Sequence, residues 1–111
     1  MTFRLELTER AESDLIDYAD WIAQDSRSRA WGWYEATLNE IGTLSEMPLR
    51  YPLAYEAEPL QRPIRQMIVG QHQVLFTVDR ANMVVYVLRV WPAARRLARS
   101  YDLPDHNETS P

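Results

Sequence analysis

Phe3, Leu5 and Leu7 alternate with Arg4 and Glu6 at the start of the chain. That is the period-two pattern of a half-buried strand, predicted over residues 2 to 7. Thr8 then stands where a helix cap belongs, followed by Glu9 and Glu12 in what would be the first turn, where acids suit the positive end of the helix dipole. Ala11, Leu15, Tyr18, Ala19 and Ile22 recur at helical spacing on one side, and Asp14, Asp17, Asp20 and Trp21 occupy the other. The polar run from Gln24 to Ser28 ends this helix and supplies the cap of the next, in which Trp31, Tyr34, Leu38 and Ile41 repeat the stripe towards Leu44. Two helices joined so tightly predict an antiparallel hairpin. On this stripe Trp31 is a core residue, Trp33 points away from it, and Trp21 lies among the acids.

Pro48, Pro52, Pro59 and Pro63 interrupt the stretch from Ser45 to Pro63, which predicts an irregular connection with one short turn of helix. From Ile64 the pattern becomes β. Ile64 to Val69, Gln73 to Val78 and Met83 to Trp91 are separated by Gly70-Gln71 and by Asp79-Arg80-Ala81-Asn82, predicting a three-stranded meander. Val74, Phe76, Val78, Val84, Tyr86, Leu88 and Val90 are expected to face the helices, leaving Arg89 and Trp91 on the open face. Pro92 closes the last strand, one helical turn is expected between Ala94 and Tyr101, and the acidic segment 102–111 is expected to be disordered. The order β-α-α-β-β-β predicts a single α+β domain over residues 1–101, with the hairpin packed on one face of a mainly antiparallel sheet and the first strand joining its edge or middle.

The 111 residues, 46% hydrophobic and 25% charged, fit one globular domain with one core. With no Cys, disulfides, thiol chemistry and Cys-ligated zinc are excluded. The N-terminal residues carry charge early, and the longest apolar run, Met83 to Leu88, is too short to cross a bilayer. A cytoplasmic protein without membrane contact is expected. Charge is segregated along the chain. Residues 1–60 hold twelve acids against five arginines, residues 61–101 hold seven arginines against Asp79 alone, and the tail is acidic again. Every base is an arginine, a side chain suited to bidentate capture of carboxylate or phosphate. An anionic partner and internal pairing between the two halves both satisfy this pattern.

The three glycines form no phosphate-binding loop or dinucleotide fingerprint, so no cofactor is expected. Asp14, Asp17 and Asp20 have the spacing of a solvated helix face, and no metal site is expected there. His72 is the histidine of the folded region and the natural suspect for acid-base chemistry, yet its place at the start of a strand favours a packing role. Arg89, Trp91, Arg95 and Arg96, with Arg65 on an earlier strand, combine fixed charge and an aromatic surface. These five are the expected binding residues for a macromolecular partner.

Three segments together resemble the RelE/ParE superfamily of bacterial type II toxin-antitoxin toxins: Ala11 to Ile22, Ile64-Arg-Gln with Val69 to Val78, and Val87-Leu-Arg-Val-Trp-Pro-Ala-Ala-Arg-Arg96. The resemblance covers about residues 3–101. It implies a RelE/ParE-like fold and a cognate antitoxin in a hetero-oligomer; the charge and aromatic surface of Arg89, Trp91, Arg95 and Arg96 is where the antitoxin and the cellular target are both expected to bind. Two activities exist in the superfamily, poisoning of DNA gyrase in the ParE-like branch and ribosome-dependent cleavage of mRNA in the RelE-like branch. The nuclease branch brings basic groups to strand positions that fall here on Ile64, Gln66 and Gln73, none of them basic. A ParE-like toxin acting by binding is therefore expected. The alternatives are an mRNA endoribonuclease using Arg95, Arg96, Tyr101 and His72, and a non-toxic partner-binding module of the same fold.

Overall fold

In the computed structural model the described residues are 2–94 and 98–104. Strand β1 runs over Arg4–Leu7, half-buried at Leu5 and Leu7 and exposed between them. The Thr8 hydroxyl accepts a hydrogen bond from the Ala11 N–H at 3.2 Å and opens helix α1, Glu9–Ala23. Ser26 does the same for helix α2, Arg27–Gly42, accepting from the Arg29 N–H at 3.2 Å. Both caps satisfy N–H groups that a helix start otherwise leaves unpaired. After α2 the proline-rich stretch contains two short 3-10 turns, Thr43–Ser45 and Pro48–Arg50, and the single-turn helix α3, Ala57–Leu60. Strands β2 (Arg65–Val69), β3 (His72–Asp79) and β4 (Val84–Pro92) follow as the expected meander. The sheet order is β1-β4-β3-β2, with β1 parallel to β4 at one edge and the other pairs antiparallel.

Every residue of β3 is buried, as a central strand covered on both faces must be. One face carries the main core, where Ala11, Leu15, Ile41 and Leu44 pack on Met67, Val74, Phe76, Val78, Val85, Val87 and Val90. The other face, expected to be open, carries a second core: Leu75, Leu88 and Trp91 are covered by Ala54, Ala57, Ile64, Ala98 and Leu103. The cover consists of irregular segments, so it leaves no period in the sequence.

The expected helix-facing set holds on β3 and only at Val90 on β4. Val85 and Val87 take the helix side, while Leu88 and Tyr86 belong to the second core. The cause is a β-bulge. Phe76 pairs with Val87 but Leu75 pairs with Arg89, so Leu88 is the extra residue and the side-chain parity changes across it. In α2 the roles of two tryptophans are exchanged: Trp31 is exposed and Trp33 packs against the main core. Of the expected disordered tail, Asp102 and Leu103 are instead buried, Ser100–Asp102 forms a 3-10 turn, and residues 105–111 lie outside the described residues.

Candidate functional site

The site grows from a gap in the sheet. β1 pairs with β4 only as far as Leu7 opposite Val87, so the β4 edge beyond Val87 needs other partners. Thr8 supplies the first: its N–H donates to the Val87 carbonyl at 3.1 Å and its hydroxyl to the same carbonyl at 2.9 Å. Asp14, one turn into α1, supplies the next by accepting the Val90 N–H at 2.9 Å. The same carboxylate accepts two bonds from the Arg89 guanidinium, from Nε at 2.7 Å and from Nη2 at 2.8 Å. Both side chains are largely buried, about 15% and 13% exposed for Arg89 and Asp14. Asp14, by its spacing with Asp17 and Asp20, is predicted to lie on a solvated acidic face. It is instead the counter-ion of the last strand, and helical spacing could not reveal this because the partner lies 75 residues away.

Arg89 continues the network. Its guanidinium carbon lies 4.2 Å from the centre of the Trp91 ring, a cation-π contact, and Nη1 donates to the Asp102 carbonyl at 2.9 Å. Trp91 is 2% exposed, and its indole N–H donates to Gln73 Oε1 at 3.0 Å. Gln73 in turn donates from Nε2 to Gln66 Oε1 at 2.7 Å. Asp14, Arg89, Trp91, Gln73 and Gln66 thus form one chain of contacts from α1 across the sheet to β2. The expectation that Arg89 and Trp91 present an open surface is corrected: the bulge and the cover of the second face place both inside the fold. Arg65 donates from Nη1 to the Tyr51 carbonyl at 2.8 Å and is half-buried. Arg95 and Arg96 lie outside the described residues.

The C-terminal segment lies over this network. Arg10 donates to the Tyr101 carbonyl at 2.7 Å and Arg62 to the Pro104 carbonyl at 2.7 Å. The buried Glu56 accepts the Ala98 N–H at 3.1 Å. Tyr101 itself is exposed.

His72, the first residue of β3, shares a cleft with Asp14, Val90 and Trp91 and packs against the hairpin. It is 3% exposed, edge-on to Tyr18 at 4.3 Å and 5.2 Å from the Trp33 ring. Its Nε2 has no hydrogen-bond partner among the described residues. Burial pushes its pKa below the ordinary histidine value. A neutral ring in an aromatic cluster is a packing element. His72 and Tyr101 share none of the described clefts. Among the described residues no three His, Cys, Asp or Glu side chains are grouped to hold a metal ion, and no helix is long and apolar enough to cross a membrane.

The sheet with its flanking hairpin, capped at Thr8 and pinned at Asp14, is the part of the chain that a family profile recognises. The profile of the ParE toxin of type II toxin-antitoxin systems, parDE, matches residues 5–97. The chain belongs to this family. Solved structures agree on the fold. The chromosomal ParDE toxin-antitoxin system from P. aeruginosa superposes with a TM-score of 0.66 at 16% identity, covering 82% of this chain and 96% of that one. The toxin-antitoxin complex RelBE2 from Mycobacterium tuberculosis superposes with a TM-score of 0.58 at 23% identity, covering 83% and 99%. No curated protein gives a significant match to the sequence. The RelE/ParE expectation for family and fold therefore stands. In this ParE-family chain, the β1 edge and the Arg89–Asp14 tie are scaffold features that fix the last strand.

Proposed function

We propose that this ParE-family chain is a toxin that acts by binding DNA gyrase and is neutralised by a cognate antitoxin. The observation that carries the reading is the state of the sheet positions where the nuclease branch of the superfamily places basic groups. Ile64 is buried in the second core, and Gln66 and Gln73 are tied to each other and to Trp91. Cleavage through a ribose 2'-hydroxyl needs a base for its proton and cations against the charge that develops on phosphorus. Two amides and an isoleucine offer neither, and the nearby guanidinium of Arg89 is balanced by Asp14. The burial of His72 against Tyr18 and Trp33 supports the same reading.

Arg95 and Arg96 follow the last strand in a stretch where bases outnumber acids, and they remain the residues proposed to meet an acidic antitoxin arm and the target. Arg65, Arg89 and Trp91 are engaged inside the fold with Tyr51, Asp14 and Gln73 and are assigned to the scaffold in this reading. Induced expression tests the reading. Growth arrest with a DNA-damage response, intact transcripts, and rescue by the product of an adjacent reading frame is the expected result. Arrest with transcripts cut at codon-related positions, lost in Tyr101→Phe, would establish the nuclease instead. Full toxicity and full rescue in the Arg95→Ala, Arg96→Ala double variant would move the binding surface elsewhere.

A further inference from the structure

Between α1 and β4 the fold already holds one guanidinium against a carboxylate and an indole: Asp14 accepts two bonds from Arg89, which lies 4.2 Å from the centre of the Trp91 ring. One turn further along α1 the same kinds of group recur. Asp17, Tyr18 and Trp21 line a cleft of about 240 Å³ that is completed by Asp14, His72, Val90, Trp91 and Pro92. Tyr18 and Trp21 stand 5.4 Å apart with their planes tilted by 44°, and Trp21 is 63% exposed. Asp17 is exposed and makes no ion pair among the described residues. Residues four apart on a helix are neighbours, so Asp17 and Trp21 offer a carboxylate and an indole to one guest.

The lining selects that guest. The cleft is smaller than the roughly 300 to 1,000 Å³ of pockets that enclose a drug-sized ligand, so it suits a head group. Its charged members are Asp14 and Asp17, and the two arginines that border the same acids are engaged, Arg89 by Asp14 and Arg10 by the Tyr101 carbonyl. An acidic wall carrying aromatic rings attracts a cation and repels phosphate or carboxylate. His72 belongs to the same lining, is 3% exposed, and its Nε2 has no partner among the described residues. A neutral imidazole keeps one acceptor nitrogen. A planar cation with several N–H groups can use the carboxylate, the rings and this acceptor, whereas a quaternary ammonium can use the rings and the charge alone.

We propose that the cleft between α1 and the Pro92 end of β4 binds a guanidinium group, stacked on Trp21 and held by the Asp17 carboxylate. The arginine-bearing C-terminal region is suited to an acidic guest, so this is a second site of opposite charge preference, and it stands whatever the cellular target is.

The test titrates the full chain with capped arginine, capped lysine and capped, symmetrically dimethylated arginine, and reads dissociation constants from the backbone amide NMR signals of α1. Saturable shifts with arginine are the expected result. Lysine and the dimethylated arginine should bind about tenfold more weakly, since both keep the charge and lose the bidentate bond to a carboxylate. Trp21→Ala and Asp17→Asn should each weaken arginine by about tenfold or more. Trp31→Ala should leave it unchanged, because Trp31 is as exposed as Trp21 but does not line the cleft. A pentapeptide with one arginine among alanines separates the two sources of the group: binding no tighter than that of capped arginine supports a small free guanidinium compound, and tighter binding supports an arginine of a partner chain. Absence of saturable shifts with arginine, equal affinity for arginine and lysine, indifference to Trp21→Ala or Asp17→Asn, or an equal loss in Trp31→Ala would each overturn the proposal.

Discussion

Asp14 shows how much one residue can hold. It replaces a missing strand at Val90, balances Arg89, and through Arg89 fixes Trp91 and the Asp102 carbonyl. Removing one partner of a buried pair leaves the other charged and unpaired, which is costlier than replacing both. Asp14→Ala should therefore lower the stability to urea by about 3 kcal/mol, and Asp14→Leu combined with Arg89→Met should recover part of the loss. Urea unfolding of the variants checks this, and a single-variant loss under about 0.5 kcal/mol, the scale of an ordinary surface substitution, would mean the pair is not a structural tie. His72 gives a pH signature. Its folded pKa lies below the ordinary 6.5, because burial disfavours the charged ring. Its contribution to stability is therefore complete above that value and declines as pH falls through it, since the unfolded chain takes up the proton first. Stability measured from pH 8 to pH 5 should fall more steeply in the wild type than in His72→Phe, and parallel profiles would contradict the buried neutral ring. At this scale the sequence was legible where a residue's role is local. Thr8 was readable as a cap and His72 as packing, whereas Asp14 and Trp91 take their roles from partners distant in the chain.

The elements themselves were readable from periodicity, and their errors share one cause. In β4 the run from Val84 to Leu88 is apolar throughout, so alternation cannot fix which residues face the helices, and the bulge at Leu88 decides it. In α2 the sequence Trp31-Gly-Trp-Tyr34 offers aromatic residues on several sides of the helix, and the phase is set by packing: Ala30, Thr37 and Ile41 are buried while Trp31 is not. The face of β3 is secure because Phe76 lies at the middle of the main core, fully buried and edge-on to Tyr51 at 6.0 Å. Phe76→Ala should cost about 3 to 5 kcal/mol through the cavity it leaves. Leu75→Ala tests the second core separately, with an expected cost of about 2 to 5 kcal/mol. If Leu75→Ala proved neutral, the cover formed by Ala54, Ala57, Ala98 and Leu103 would not be packed as described.

At the scale of the molecule, the charge segregation seen along the chain is partly resolved inside the fold. Arg89 of the arginine-rich half meets Asp14 of the acidic half, so internal pairing accounts for part of the arginine excess. The family and fold were legible because three segments in order carry them. The site was less so, because its residues are assembled by the bulge and by irregular segments rather than by a motif. In a ParE-family scaffold that carries Ile64, Gln66 and Gln73 where the nuclease branch places basic groups, binding is the proposed mode of action. The most direct measurement incubates the purified chain with DNA gyrase and relaxed plasmid. The account predicts loss of supercoiling as the chain approaches gyrase in concentration, restored by the cognate antitoxin. Unimpaired supercoiling at large molar excess, from a chain that cuts ribosome-bound mRNA, would contradict it.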